Sequence, residues 1–341
     1  MHALVTGSAG HLGEGLVRTL RERGRRVTGL DILASPFTDH VGSVADPGFV
    51  RECTRGVDVV IHAATLHKPH VATHSRQAFV ETNISGTLAV LEAALACGVS
   101  GVVFSSTTSA FGSALTPAAD QPAAWIDENA GSVPRNIYGV TKRAAEDLCE
   151  LFFRSRRLPC LVLRTSRFFP EADDDAGRRN EYGDLNLKVN ELLYRRLDLA
   201  DAVEAHILAA ERVPESGFRR YVVSATTPFE PRHLGQLRVD APGVVRGLFP
   251  DFDDVYRSLG WKMLPGIDRV YANRRARDEL GWQPQVDFRW ALDSLHAGRD
   301  VFGPLTRIVG AKGYHSETFA EGPYPVEGPP AGPTTPAGSG H

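Results

Sequence analysis

The first thirty-one residues alternate between apolar runs and glycine-rich or polar stretches, in the order strand, turn, helix, strand. Residues 3–6 are an apolar run that meets a glycine turn. Residues 11–23 then place four apolar side chains on one helical face: Leu12, Leu16, Val17 and Leu20. A second apolar run, residues 27–30, ends in Asp31. This pattern predicts one β-α-β unit at the start of the chain.

Similar apolar runs continue to about residue 164 and predict more strands and helices. The strands are predicted at 40–46, 57–64, 99–106 and 158–164, and the helices at 47–56, 79–97 and 138–157. A polar, proline-containing loop is predicted at 113–136. Strands that alternate with helices indicate an α/β fold with a parallel sheet.

The second half of the chain has a less regular pattern. Residues 171–184 are acidic and polar, and predict a loop or a mobile insertion. Residues 192–212 predict a strand and a helix, and residues 221–224 predict another short strand. Residues 225–300 predict helices and loops. The segment 328–341 is rich in Pro, Gly, Ser and Thr, which predicts a disordered tail.

Composition excludes several classes of protein. The 341 residues are 42% hydrophobic, which is ample for one large or two coupled domains. The net charge of −3 gives no basic surplus, so we expect no nucleic-acid partner. We expect no membrane association, because no apolar stretch approaches the roughly 20 residues that cross a bilayer. The N-terminus reads as a core strand rather than a signal peptide, and the four cysteines form no CxxC pair, so we expect a cytoplasmic protein.

The glycines of the first turn have the spacing of a dinucleotide site. Gly7 allows the sharp turn, Gly10 lets a pyrophosphate approach the backbone, and Gly13 lets the helix pack against the strand. The helix N-terminus favours an anion. Asp31 can accept hydrogen bonds from both hydroxyls of an adenosine ribose and would repel a 2′-phosphate, so it favours NAD over NADP. The alternative is a glycine-rich turn in some other α/β protein.

A second set of residues carries candidate acid–base chemistry. Tyr138 and Lys142 are four residues apart and share one face of a predicted helix. A nearby ammonium favours the phenolate, so we expect Lys142 to lower the pKa of Tyr138 and to hydrogen-bond the nicotinamide ribose. Thr107 ends a hydroxyl-rich strand and can hold a substrate oxygen. Such a triad would remove the proton of a secondary alcohol while NAD takes its hydride, although Tyr-x-x-x-Lys alone is common by chance.

Residues 65–77 contain histidines and a lysine, which raises the question of a metal site. Pro69 interrupts the cluster, and the spacing does not match two ligands on one helix, so we predict no metal. The remaining interpretations are a loop over the active site, with Lys68 or His70 near a polar substrate, and a solvated loop.

These motifs together resemble the extended short-chain dehydrogenase/reductase superfamily, and in particular its NAD-dependent sugar epimerase/dehydratase family. The matching stretches are 6–13, Asp31, 58–64, 83–87, 105–107 and 138–142, with a weaker match at 269–284. The resemblance implies a Rossmann fold, a doubly wound parallel sheet, with a smaller, chain-interleaved C-terminal substrate domain. It implies a dinucleotide domain at 1–170 to which 192–225 returns, and a substrate domain at 171–191 and 226–327.

The resemblance also implies the residues that contact each ligand, and a homodimer formed through the helices at 79–97 and 138–157. Besides the glycine turn and Asp31, the expected cofactor contacts are His11, Leu12, Ile32, Ser43, Val44, Ala63, Ala64, Thr65, Asn83, Ser105, Tyr138 and Lys142. The expected substrate contacts are Thr107, Thr108, Arg167 and Lys68.

Two departures from the family pattern bear on the reaction. In 4,6-dehydratases the catalytic Thr is followed by Asp-Glu, which eliminate water, whereas Thr108 and Ser109 follow Thr107 here. Where relatives place an Asn that contacts substrate phosphates, this chain has Arg167, which binds anions more strongly. We therefore expect the substrate to be an unusual nucleotide sugar or a different phosphorylated or carboxylated polyol.

We expect an NAD-dependent epimerase that acts on a nucleotide sugar through a transient keto intermediate, with Tyr138 as acid and base. The alternative within the same chemistry is an NAD-dependent dehydrogenase or reductase of a secondary alcohol or carbonyl. The alternative of another class is a non-catalytic dinucleotide sensor, which the intact Tyr138 and Lys142 disfavour.

Overall fold

The main layer of the fold is a parallel sheet. The computed structural model describes residues 1–312 except 169, 171, 174 and 175, so the predicted tail at 328–341 lies outside it. The strands are β1 (His2–Thr6), β2 (Arg26–Asp31), β3 (His40–Val41), β4 (Val59–His62), β5 (Gly101–Thr107), β6 (Ala124–Ile126), β7 (Cys160–Thr165), β8 (Phe218–Val223) and β9 (Arg269–Tyr271). The large sheet has seven strands in the order β3-β2-β1-β4-β5-β7-β8, and β6 pairs with β9 separately.

Helices cover both faces of this sheet. They are α1 (His11–Glu22), α2 (Pro47–Cys53), α3 (Arg76–Phe79), α4 (Gly86–Ala96), α5 (Ile137–Arg156), α6 (Ala176–Glu181), α7 (Asp184–Leu192), α8 (Leu199–Ser216), α9 (Leu234–Val239), α10 (Ala241–Leu248), α11 (Phe252–Leu259), α12 (Arg274–Leu280), α13 (Phe288–His296) and α14 (Pro304–Val309). Within the described residues, no helix is long and apolar enough to span a bilayer.

Alternating side chains of β1 point to the two faces. Ala3 and Val5 belong to an apolar cluster with α1 and α8, whereas Leu4 belongs to a second cluster with α2, α4 and α5. Burial on both faces explains why β1 reads as a continuous apolar run. The predicted doubly wound parallel sheet is thus confirmed.

The strand order reverses at β1, which pairs with β2 on one side and with β4 on the other. Ligands of doubly wound sheets bind outside the carboxyl ends of the strands at such a reversal. The same edge continues to β5 and β7, where Thr107 and Thr165 lie opposite each other. This edge therefore brings the glycine turn and the hydroxyl-rich end of β5 to one side of the molecule.

A further apolar cluster lies in the C-terminal part of the chain. It combines side chains of α7 with side chains of α9, α10, α11 and α13, among them Val189, Leu237 and Phe252. Between these segments, α8 packs on the main sheet and β8 pairs with β7. The exact division into domains stays a prediction.

Several predictions of local structure are wrong. The predicted loop at 171–184 contains α6 and the first residue of α7, and Arg178 of α6 donates a hydrogen bond to the Tyr194 hydroxyl at 3.2 Å. Tertiary contacts thus stabilise a helix whose polar sequence predicts none. The strand expected at the start of 192–212 is a single bridge between Arg167 and Arg196, after which α8 begins.

The predicted polar loop at 113–136 also contains a short strand, β6. Its register aligns Trp125 with Val270, which is far away in sequence. A three-residue strand carries too little periodicity to be recognised before its partner is known.

Candidate active site

A large cavity runs along the carboxyl edge of the main sheet. It has a volume of about 860 Å³ and extends from the glycine turn to the ends of β5 and β7. The predicted site residues that line it are Gly7, Gly10, His11, Leu12, Gly13, Asp31, Ile32, Ser43, Val44, Ala63, Ala64, Thr65, Lys68, Ser105, Thr107, Thr108, Tyr138, Lys142 and Arg167. Asn83 is the one predicted residue that is not in its lining.

The glycine turn leaves no room for side chains on the protein side. A Cβ on Gly13 would lie 1.9 Å from the carbonyl oxygen of Gly7. Gly7 itself has φ +75°, and its Cβ would lie 2.7 Å from the Ala64 nitrogen. A Cβ on Gly10, by contrast, would lie 3.3 Å from the Gly7 oxygen, its nearest neighbour. This cradle therefore fits a group that approaches Gly10 and the N-terminus of α1, as a pyrophosphate would.

Asp31 is held in place at the end of β2. Its Oδ2 accepts a hydrogen bond from the Ala9 nitrogen at 3.0 Å, and its Oδ1 accepts one from the Leu33 nitrogen at 2.9 Å. The carboxylate faces the cavity, where its remaining lone pairs can accept ribose hydroxyls. These contacts fit the expected preference for NAD.

Asn83 lies behind the cavity wall and acts through the neighbouring loop. Its Oδ1 accepts hydrogen bonds from the Leu66 nitrogen at 2.9 Å and the Thr65 hydroxyl at 3.0 Å. Its Nδ2 donates to the Leu66 oxygen at 2.9 Å and the Thr141 hydroxyl at 3.0 Å. Asn83 therefore holds Thr65 and Leu66 in position with an amide that is fully used by protein groups, and its contact with the cofactor stays a prediction.

The same residue lies in a helix of unexpected type. The helix expected at 79–97 is interrupted by a π-helical segment, Val80–Ser85, between α3 and α4. Such segments occur often at functional sites. Here the segment carries Asn83 between the 65–66 loop and α5.

The catalytic candidates meet at the end of β5. Tyr138 and Lys142 lie in α5, whose first turn is capped by Asn136, which accepts a hydrogen bond from the Gly139 nitrogen at 2.9 Å. Lys142 is buried, and its Nζ donates to the Ser105 oxygen at 2.7 Å. Thr107 hydrogen-bonds the Tyr138 side chain. The predicted triad is therefore brought together in the cavity.

The electrostatics differ from the expectation. Burial raises the pKa of Tyr138 to about 12, and its hydrogen bond with Thr107 only partly opposes this. Burial also lowers the pKa of Lys142 to about 7, although the nearby Glu146 carboxylate favours the ammonium. The expected lowering of the Tyr138 pKa by Lys142 is thus wrong for the protein groups alone. Loss of hydration is the largest effect on the pKa of each side chain.

One supporting histidine was not predicted. Burial lowers the pKa of His206 to about 4, so its ring is neutral. Its Nδ1 donates to the Ala202 oxygen at 2.7 Å, which leaves Nε2 to accept from the Ser105 hydroxyl at 2.9 Å. Because the Ser105 carbonyl accepts from Lys142, His206 fixes the residue that positions the lysine.

A buried ion pair below the site was also not predicted. Glu146 and Arg164 are 0% and 2% exposed. Glu146 accepts hydrogen bonds from Arg164 at 2.6 to 3.2 Å and from the Ser106 hydroxyl at 2.5 Å. The sequence carries one signal for the position of Glu146. It follows Lys142 by four residues and therefore lies on the same face of α5.

The substrate end of the cavity is rich in cations. Lys68 and Arg167 line it as predicted, and so do Arg195 and Arg269, which were not predicted. Burial and the neighbouring arginines lower the pKa of Lys68 to about 8. Arg195 and Arg269 lie far apart in sequence and share no motif, so only the fold brings them together.

Arg167 lines the cavity as one member of a group of charged side chains that bind one another. Its Nη1 donates to Asp173 at 2.5 Å, and Arg195 donates to the same carboxylate oxygen at 3.2 Å. Arg195 also pairs with the fully buried Glu191. Arg167 therefore belongs to an ion-pair network rather than standing as a single anion-binding side chain.

The histidines of the loop at 65–77 pack edge-to-face against one another near the cavity. The rings of His67 and His70 have centroids 4.7 Å apart, and those of His70 and His74 have centroids 5.0 Å apart. All three line the cavity. Among the described residues, no group of histidine, cysteine or acidic side chains is arranged to hold a metal ion.

Comparison with known proteins supports the family that the sequence motifs indicate. A family model for the NAD dependent epimerase/dehydratase family matches residues 3–190. A dTDP-glucose 4,6-dehydratase of Streptomyces antibioticus is 30% identical, over 84% of this chain and 89% of its own length. A UDP-glucose 4-epimerase of Streptomyces lividans is 28% identical, over 62% of this chain and 72% of its own length.

A solved structure with a similar fold is a short-chain dehydrogenase/reductase superfamily protein from Agrobacterium tumefaciens with bound NAD. It has a TM-score of 0.61 and 22% identity, and the match covers 87% of this chain and 95% of that chain. The predicted fold, enzyme class and NAD dependence are confirmed, and the chain belongs to the NAD-dependent epimerase/dehydratase family.

Proposed function

We propose that this protein is an epimerase that inverts one carbinol centre of a nucleotide sugar through a keto intermediate. The observation that carries the proposal is the position of Thr107, Tyr138 and Lys142 in the cavity that also contains the glycine turn. Bound NAD would accept a hydride from the substrate and return it. The chain supplies the proton transfer and the orientation of the sugar.

Each of the three side chains has a separate task. Thr107 would hold the reacting oxygen, and Tyr138 would take its proton as the alcohol becomes a ketone. Only the phenolate of Tyr138 can take this proton, and burial, which raises the pKa of Tyr138 to about 12, disfavours that form in the NAD-free chain. The phenol that results from the transfer returns the proton when the ketone is reduced. Lys142, with a pKa of about 7, carries a positive charge in part of the population and then favours the phenolate.

Elimination of water is a less suitable reaction for this cavity. It needs an acid and a base beside the catalytic threonine, where Thr108 and Ser109 lie here. Among the described lining residues, Asp31 is the only carboxylate, and it lies at the end of β2 beside the glycine turn. This favours epimerisation, even though some relatives are named 4,6-dehydratases.

The substrate class follows from charge. Lys68, Arg167, Arg195 and Arg269 line the cavity beyond the catalytic residues, and their carboxylate partners Asp173, Glu191 and Asp268 compensate only part of their charge. The diphosphate of a nucleotide sugar would supply the negative charge that these cationic side chains attract. The relatives named for UDP-glucose and dTDP-glucose suggest the first compounds to try.

We also propose a homodimer through α4 and α5. Both helices expose apolar side chains, with Leu95 at 41% and Leu151 at 53% exposure. Replacing Leu151 by Glu should yield monomers in light scattering, whereas the same change at Val239, exposed in α9, should leave the dimer intact. A wild-type monomer would refute this.

Tyr138→Phe tests the assigned chemistry. This variant should lose isomer formation by about 1,000-fold or more while binding NAD as tightly as wild type, because general acid–base catalysis contributes about 100- to 10,000-fold. The matched control is Tyr221→Phe, whose hydroxyl donates to Glu279 at 2.9 Å and which is absent from the cavity lining. Unchanged turnover of Tyr138→Phe would refute the proposal.

A further inference from the structure

The segment 303–312, which includes helix α14, packs across helix α1. Asp198 anchors it, because its Oδ2 accepts hydrogen bonds from the Gly303 nitrogen at 3.1 Å and the Thr306 hydroxyl at 2.9 Å. Val309 is 7% exposed and belongs to the same apolar cluster as Leu16 of α1. The backbone of α14 is therefore fixed next to the helix that begins at the glycine turn.

This packing brings a lysine to the first turns of α1. Lys312 forms an ion pair with Glu14, which is 5% exposed. Glu14 also pairs with Arg18, whose Nε lies 2.7 Å from its Oε1. The backbone nitrogen of Glu14 donates to the Gly10 oxygen at 2.8 Å, so this carboxylate lies one turn from the phosphate cradle.

These charges matter for an anion at the glycine turn. A buried carboxylate at this end of α1 would repel a pyrophosphate, and Arg18 compensates one negative charge. Lys312 adds a second positive charge and makes the group of three cationic overall. Lys312 also lines the cavity together with Gly10 and His11.

We propose that Lys312 binds the pyrophosphate of NAD, so that the segment 303–312 completes the cofactor site. Its ammonium would sit between Glu14 and the ligand, and the glycine turn would supply backbone donors on the other side. The proposal rests on the NAD dependence of the family and on the position of Lys312. It does not depend on which reaction the enzyme catalyses.

Binding of defined ligands to the full-length chain tests this assignment. Calorimetric titration with NAD, ADP-ribose and adenosine should show that Lys312→Met weakens NAD and ADP-ribose about tenfold, as expected for one charge-assisted hydrogen bond. Adenosine, which lacks the pyrophosphate, should bind equally to both proteins. Lys312→Arg should retain most of the affinity, and Lys262→Met, an exposed lysine outside the cavity, should behave as wild type.

A second background separates a direct contact from simple neutralisation of Glu14. In Glu14→Gln, the Lys312→Met change should still weaken NAD and ADP-ribose by a similar factor. If the factor disappears in that background, Lys312 acts only by compensating Glu14, and the proposal is overturned. Unchanged NAD affinity of the single Lys312→Met variant would overturn it as well. Every readout in this experiment is ligand binding. Neither result therefore bears on the epimerase proposal, which has its own test.

Discussion

Glu146→Gln should be among the most destabilising conservative changes in this protein. It keeps the shape of the side chain but removes the charge that faces Arg164, which is 2% exposed. Arg164 donates to both carboxylate oxygens, and Arg220 approaches Oε2 at 3.3 Å. The substitution leaves the guanidinium of Arg164 buried without a counter-charge.

The size of the effect follows from this geometry. Breaking a buried ion pair by removing one partner costs about 3–5 kcal/mol, because the remaining charge stays desolvated. For a chain of this length, that corresponds to a fall in Tm of about 5–8 °C. Ser106 loses its carboxylate acceptor too, and it precedes Thr107, so activity should fall along with stability.

Urea unfolding followed by circular dichroism measures the free energy of unfolding. The matched control is Glu150→Gln, one turn further along α5, where the side chain is 36% exposed and pairs with Arg220 at 2.8 Å. A surface pair of this kind contributes less than about 1 kcal/mol. If Glu146→Gln lost no more stability than Glu150→Gln, the importance of the buried pair would be refuted.

Two further changes probe the site. Gly13→Ala forces a Cβ to within 1.9 Å of the Gly7 oxygen and should weaken NAD at least about tenfold by calorimetry, whereas Gly247→Ala, in open space, should not. Lys142→Met should raise the free energy of unfolding of NAD-free protein by about 1–3 kcal/mol near pH 6.5, because burial lowers the lysine pKa to about 7 from about 10.4 unfolded. Between these two pKa values the unfolded wild-type chain binds one more proton than the folded chain. The free energy of unfolding of the wild type therefore rises with pH in this range, and the gap in stability between the variant and the wild type should shrink towards pH 10. A gap that does not change with pH would contradict the buried, weakly basic lysine.

The first β-α-β unit could be predicted from sequence because its signals are local. The apolar periodicity of α1 and the glycines at fixed spacing each act within a few residues. Tyr138 and Lys142 are likewise neighbours on one helix. Where the chemistry depends on residues this close, spacing alone brings them to the right place.

Residues far apart in sequence were harder to foresee. Arg195 and Arg269 join Lys68 only through the fold, and α6 is stabilised by a contact with Tyr194 that its own composition does not encode. The hydrogen bonds of Asn83 could not be foreseen for a similar reason. Its amide partner Thr141 lies 58 residues away, so the sequence could not show that its hydrogen bonds were already used.

The pKa of Tyr138 shows a second limit of sequence reasoning. Spacing correctly put Lys142 on the same helical face, but it could not show how deeply both groups are buried. Burial favours the neutral form of each and is the largest effect on both pKa values.

The most direct test of the epimerase proposal follows the hydrogen on the reacting carbon. The full-length enzyme is incubated with UDP-glucose or dTDP-glucose that carries deuterium at C4, and products are resolved by mass spectrometry and NMR. We predict a new isomer that keeps the deuterium on the same carbon, with no net change at the NADH absorption band. Stoichiometric release of deuterated NADH with a ketone product would contradict the proposal and identify a dehydrogenase.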